Sequence, residues 1–159
     1  MTKSKLAASA LLIAAAGFSA AYSAESSAAD AYLRTTTASV NLSSDGSPVA
    51  LKQVTVPAGT WIVTAKANPV NFGAADYVRC RILVGGTQRD AAATLLGNAA
   101  PAPTGEMGPS VAEIVLQTAF TSTSSKTVKL DCQHDFPYPG IYVDPGASIM
   151  IVRSPGPLG

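Results

Sequence analysis

The chain has a single histidine, which stands in Asp131-Cys132-Gln133-His134-Asp135 between two carboxylates. An imidazole beside an acid is the general-base half of a serine hydrolase, with Asp131 or Asp135 orienting the ring and a serine as nucleophile. Catalytic candidates are therefore His134, Asp131 and Asp135. No GxSxG elbow or other nucleophile signature accompanies them. The ordinary reading of such a cluster is solvated charge at a strand end. A two-carboxylate glycosidase would draw on Glu106 and Glu113, the only glutamates after Glu25, and nothing in their spacing requires them to converge.

Cys80 and Cys132 are the only cysteines and enclose 51 residues. In an exported protein their default state is a disulfide. A closed loop of that size contributes roughly 4 kcal/mol on the chain-entropy model. Zinc would need more ligands than Cys80, Cys132 and His134 supply, and no CxxC pair is present. Asp131, Asp135 and Asp144 lack the spacing of a calcium loop. No metal and no cofactor are assigned.

The remaining candidates are for binding. Phe136 and Tyr138, beside Pro137 and Pro139, form an aromatic platform for a carbohydrate or protein partner, or else cap the core. Glu106 and Met107 lie in the Pro- and Gly-rich stretch 97–110, a loop long enough to contact a ligand or to be presented to a protease as an inhibitor. Asn41-Leu42-Ser43 matches the N-glycosylation acceptor pattern, a short match that arises often by chance.

The elements that position these residues read as strands. Val78, Cys80, Ile82 and Val84 alternate with Arg79, Arg81 and Leu83, and Gly85-Gly86 ends the run. Val128, Leu130 and Cys132 alternate in the same way with Lys129 and Asp131, so both cysteines face inward and are placed to bridge a core. Earlier in the chain, 35–42 reads as a first strand. Val49 to Val56 reads as a second, whose face changes at a bulge near Lys52-Gln53. After Pro57-Ala58-Gly59, the residues Trp61, Val63, Ala65 and Ala67 share the inner face of a third, with Trp61 expected near the disulfide. The stretch 87–96 is strand or short helical turn, with strand favoured by context. Val111–Thr121 is a long strand that the turn 122–126 would join to the Cys132 strand as a hairpin. Ile141–Val143 and Ser148–Arg153 close the chain, around the Asp144-Pro145-Gly146 turn. Eight or nine short strands without a convincing helix predict an all-β, antiparallel two-sheet β-sandwich, jelly-roll-like and holding one disulfide.

Composition sets the context. At 159 residues there is one domain, 47% hydrophobic and only 13% charged, against about 25% in typical soluble domains. The 11 basic and 10 acidic residues are scattered, which argues against a nucleic-acid partner. Lys3, Lys5 and the apolar run 6–17 form a secretory signal peptide, 1–23, cut after Ser23 or, alternatively, after Ala21. Residues 24–31 read as a disordered lead-in, 32–153 as the domain and 154–159 as a flexible tail. The apolar run is shorter than the roughly 20 residues of a membrane span, so no membrane partner is expected after cleavage and the protein is expected to be secreted.

The succession Val-Thr-Val-Pro-Ala-Gly-Thr-Trp-Ile-Val-Thr-Ala-Lys (54–66), followed by Val-Arg-Cys-Arg-Ile-Leu-Val-Gly-Gly (78–86), resembles the central strands of jelly-roll domains related to C1q and tumour necrosis factor. The later strands of that pattern are matched by 111–120 and 144–152. The chain is also similar to small secreted actinobacterial proteins with a two-cysteine β domain and no assigned activity. The C1q-like resemblance, over about residues 48–152, implies a non-enzymatic domain that acts by binding, assembled as a homotrimer, and carries over no catalytic residue. The sequence thus points to a secreted binding or self-assembling domain acting through 97–110 or 133–140. A small hydrolase using His134 and a protease inhibitor presenting 97–110 are the alternatives.

Protein recovered from the medium of an expressing culture is expected to begin at Ala24, or at Tyr22 with the alternative cut, and to be two hydrogens lighter than after reduction. Intact-mass spectrometry reads both, and a secreted product still carrying Met1 would refute the cleavage.

Overall fold

Alternation of apolar and polar residues builds nearly every element of the computed structural model. The structure describes residues 31–98 and 110–156. The expected signal peptide, most of the lead-in, the centre of the 97–110 loop with Glu106 and Met107, and the end of the tail lie outside the described residues. Within them there are eleven strands and no helix: β1 (Ala31–Thr35), β2 (Val40–Asn41), β3 (Val49–Val56), β4 (Gly59–Ala67), β5 (Pro69–Val70), β6 (Asp76–Val84), β7 (Thr87–Leu96), β8 (Ile114–Ser122), β9 (Lys126–His134), β10 (Tyr142–Val143) and β11 (Ser148–Arg153).

Eight of these are five residues or longer, and they form two four-stranded antiparallel sheets, ordered β1-β11-β4-β8 and β3-β9-β6-β7. The three two-residue strands make a small third sheet, β2-β10-β5. The core lies between the two large sheets. Trp61, Val63, Ala65, Leu116, Phe120, Ile149 and Ile151 enter it from one, and Val54, Val56, Val78, Cys80, Ile82, Val128, Leu130 and Cys132 from the other. Both inner faces are those expected from alternation. The register of β3 on β9 shifts between Ala50 and Lys52, which puts Leu51 and Val54 on the buried side, as a bulge there requires. The stretch 87–96 is strand, paired with β6 through a two-residue turn in which Gly85 and Gly86 have φ of 57° and 85°. Two consecutive positive φ values match the twist of a tight hairpin.

Three expectations fail. The turn 122–126 does not close a hairpin, because β8 pairs with β4 over nine residues while β9 lies between β3 and β6. Each strand buries one face, Ile114, Leu116 and Phe120 on β8 and Val128, Leu130, Cys132 and His134 on β9, so the alternation of both is met on opposite sheets, with β9 central in one and β8 at the edge of the other. Trp61 does not lie by the disulfide. It sits just after the β3–β4 turn, its indole N–H donating to Pro57 O at 3.0 Å, whereas Cys132 pairs with Val49 at the other end of β3. The first strand begins earlier than expected, at Ala31, and the stretch 35–42 divides between β1 and β2, with Thr36 buried and tied to Ala147 O at 2.8 Å.

The disulfide is present, and it joins neighbouring strands of one sheet. Cys80 and Cys132 are direct partners of β6 and β9, with Cα atoms 4.1 Å apart, the close spacing of a non-hydrogen-bonded antiparallel pair. Replacing both cysteines by serine should lower unfolding stability by about 4 kcal/mol in urea titration. A loss below about 1 kcal/mol would mean that strand pairing alone holds this register.

Candidate functional site

The inward phase of β6 begins with Asp76, a carboxylate where the pattern Val78, Cys80, Ile82 would place an apolar residue. It is fully buried and pairs with His134, whose side chain is also fully buried; Nδ1 lies 3.0 Å from Asp76 Oδ2. The same carboxylate accepts the backbone N–H groups of Asp135 (3.2 Å) and Phe136 (3.1 Å). The other ring nitrogen, Nε2, is buried and meets no hydrogen-bond partner among the described residues, serine hydroxyls included. Among the described residues this imidazole has an orienting acid and no hydroxyl nucleophile within hydrogen-bond reach.

The pair is roofed by Tyr138, whose ring centroid is 5.7 Å from that of His134. The Tyr138 hydroxyl donates to Ala74 O at 2.5 Å and accepts from Asn71 Nδ2 at 3.3 Å, and burial pushes its phenol up from the usual value. Buried Asn71 also donates to Ala74 O and Leu96 O, and accepts from Gly73 N. Gly97, at φ 92°, is required beside it: a Cβ there would stand 2.6 Å from Asn71 Nδ2 and 2.7 Å from Gly73 O. This end of the sandwich is a hydrogen-bonded lock that holds the loops 71–75 and 135–138 together.

The outer face of the β3-β9-β6-β7 sheet is different. Arg79 chelates Asp135 at 2.7 and 2.6 Å and stacks over the Tyr77 ring at 5.4 Å. Arg81 Nε donates to Asp131 Oδ1 at 2.7 Å, and Lys129 Nζ stands 2.9 Å from Asp131 Oδ2 as an ion pair. Asp131 points outward yet is buried, because the stems of Arg81 and Lys129 fold over it. Between β6, β7 and β9 lies a depression of about 220 Å³ lined by Arg79, Arg81, Gln88, Ala91 and Gln133 and the Cys80 backbone. The small side chains of β7 leave the space, and the guanidinium groups and amides border it. Tyr77 and Leu95, register partners, are half-exposed beside it.

The sequence-selected residues are thus separated. His134 is buried and takes Asp76, not Asp131 or Asp135, as its acid. Asp131 and Asp135 belong to the outer ion pairs. Phe136 is exposed, while Tyr138 is turned in on Asn71 and His134, so the two do not form one platform. Glu113 is exposed before β8, and Glu106 and Met107 lie outside the described residues. Among the described residues no three His, Cys, Asp or Glu side chains gather as metal ligands would. Sequence reading missed Asp76, Asn71 and Gly97 and the ion pairs of Arg79 with Asp135 and of Arg81 with Asp131. The signal for Asp76 was its inward phase on β6.

Arg79, through its hydrogen bonds, holds the Asp135 carboxyl below the usual carboxylate range. A carboxyl lowered in the folded state adds stability above the ordinary carboxylate range, and that contribution disappears as the pH falls through and below it.

No protein-family model matches the chain, and no curated protein matches it. Solved structures do. A structure of infectious bursal disease virus, Gx strain, is similar over 82% of this chain and 35% of the viral chain, at 9% identity and a TM-score of 0.46. The CBM36-1 domain of a multidomain xylanase from the hindgut metagenome of Trinervitermes trinervoides is similar over 81% of this chain and 98% of its own, at 15% identity and 0.43. The insecticidal delta-endotoxin Cry8Ea1 from Bacillus thuringiensis covers 69% of this chain, which spans 19% of the toxin, at 13% identity and 0.38. The likeness is one of strand architecture, and no ligand follows from it.

Asp76→Ala should destabilise the domain by about 2 kcal/mol or more in urea titration, since it removes the partner of the buried His134 Nδ1 and of the Phe136 N–H, while the Asp135 N–H keeps Tyr77 O. Tyr138→Phe should cost about 1 kcal/mol, and Asp135→Asn less than Asp76→Ala. An Asp76→Ala protein as stable as wild type would remove the lock from the account.

Proposed function

We propose that this is a secreted, non-enzymatic binding domain that takes an extracellular carbohydrate over the outer face of the β3-β9-β6-β7 sheet. The carrying observation is the depression bordered by Arg79, Arg81, Gln88 and Gln133. At about 220 Å³ it falls below the usual range of pockets that enclose a whole drug-sized ligand and suits one sugar ring or side group of a longer chain. Its polar groups are planar and fixed. Arg79 is held by Asp135 and stacked on Tyr77, and Arg81 is held by Asp131, so little side-chain entropy remains to be lost on binding. The guanidinium edges and the amides supply donors to hydroxyl or carboxylate oxygens, and Tyr77 offers a ring face beside them. The disulfide and the expected signal peptide support an extracellular setting. Burial of His134 supports a role without catalysis.

The test is calorimetric titration of the oxidised protein with a panel of neutral and acidic oligosaccharides. One class should bind, with no release of reducing ends, and Arg79→Ala with Gln133→Ala should weaken it at least tenfold in a protein that still unfolds cooperatively, with its Tm lowered only by the loss of the exposed Arg79–Asp135 pair. Absence of binding to every class, or binding that ignores the double substitution, would remove this reading.

A further inference from the structure

The other outer face, that of the β1-β11-β4-β8 sheet, carries an apolar patch that neither the fold nor the proposed ligand uses. Register sorts its outward side chains into rows across the four strands. One row is Ala31, Val152, Ile62 and Ala119, and all four are apolar. The next is Leu33, Met150, Thr64 and Gln117; the third is Thr35, Ser148, Lys66 and Val115. The large apolar members are far from buried: Leu33 is 60% exposed, Val115 55%, Ile62 46%, Met150 45% and Val152 38%. Solvent-facing positions of an antiparallel sheet are ordinarily polar. Five large apolar side chains on one face, four of them in adjacent rows, form a contiguous patch of the kind that marks an interaction surface.

We infer that this face is a self-association surface on which a second copy of the chain docks, sheet on sheet. Charge argues for that occupant. Among the outward positions of these four strands the only charged residue is Lys66, in the last row, whereas the opposite sheet presents Arg79, Arg81, Lys129, Asp131 and Asp135. A face without carboxylates and with one peripheral cation has no charge pattern with which to select a charged partner. An apolar sheet surface is complementary to itself under a twofold axis, and two such sheets pack about 10 Å apart with strands nearly aligned. The long stem of Lys66 reaches the rim, where its ammonium stays in water. Four strands about 4.8 Å apart and roughly 25 Å long give a footprint on the order of 500 Å² per copy. About 1,000 Å² in total lies at the weak end of specific interfaces, so the dimer forms reversibly at high concentration.

The experiment is sedimentation velocity on the mature, oxidised chain from about 10 µM to about 1 mM, beside an Ile62→Lys/Met150→Lys double variant. Both positions are exposed, so the variant should keep the wild-type Tm. Wild type should pass from one protomer to two across this range, and the variant should dimerise at least tenfold more weakly. Arg79→Ala, on the opposite sheet, should dimerise as wild type does. A wild type that is monomeric throughout, a particle of three or more protomers, or a dimer indifferent to the double substitution would each overturn the inference. So would a monomer that binds phosphatidylcholine vesicles through Ile62 and Met150, which would assign the face to a lipid surface.

Discussion

The pairing of β6 with β9 is the contact on which the rest of the structure depends. Two bonds of different kinds cross it from the core side, the Cys80–Cys132 disulfide and, at the strand end, the Asp76–His134 pair. On its outer side Arg79 and Arg81 reach across the same two strands to Asp135 and Asp131. Strand β7 then extends the sheet from β6 and β3 from β9, while β8 leaves for the other sheet. The four tethers fix the register, and a slip of one residue would turn both the carboxylates and the apolar side chains to the wrong faces.

That fixed register explains why the two large sheets present such different exteriors. Held ion pairs and a shallow depression occupy one, and a largely apolar surface whose one outward charge is Lys66 the other. Low overall charge does not mean evenly low charge. The charged residues of the strands are concentrated on the sheet that carries the disulfide, so a polar ligand and a second copy of the chain would occupy opposite sides of the sandwich without competing.

Much of this fold was legible in the sequence because half-buried strands write their inner face into every second residue. The alternation of Val78, Cys80, Ile82 and Val84, the glycine pair after it, and the bulge in β3 all follow local rules. Which strands become neighbours does not. The 122–126 turn looks like a hairpin because short polar connections usually are, yet the pattern of β8 and β9 is equally content on opposite sheets. The site was less legible for the same reason. His134 advertised itself by being unique and flanked by acids, but its true partner, Asp76, is 58 positions away and becomes its neighbour only through the β6–β9 register.

The placement of the strands also shapes how the chain reaches this structure. Only β6 and β7 among the long strands are joined by a tight hairpin; the other long pairings bring together segments distant in sequence. Topologies of this kind fold slowly, in milliseconds to seconds, because ordering is demanded before distant contacts reward it. A chain oxidised while still unfolded usually risks trapping wrong partners. With two cysteines there is only one way to pair, so early oxidation would select the native β6–β9 neighbourhood and leave the remaining search shorter.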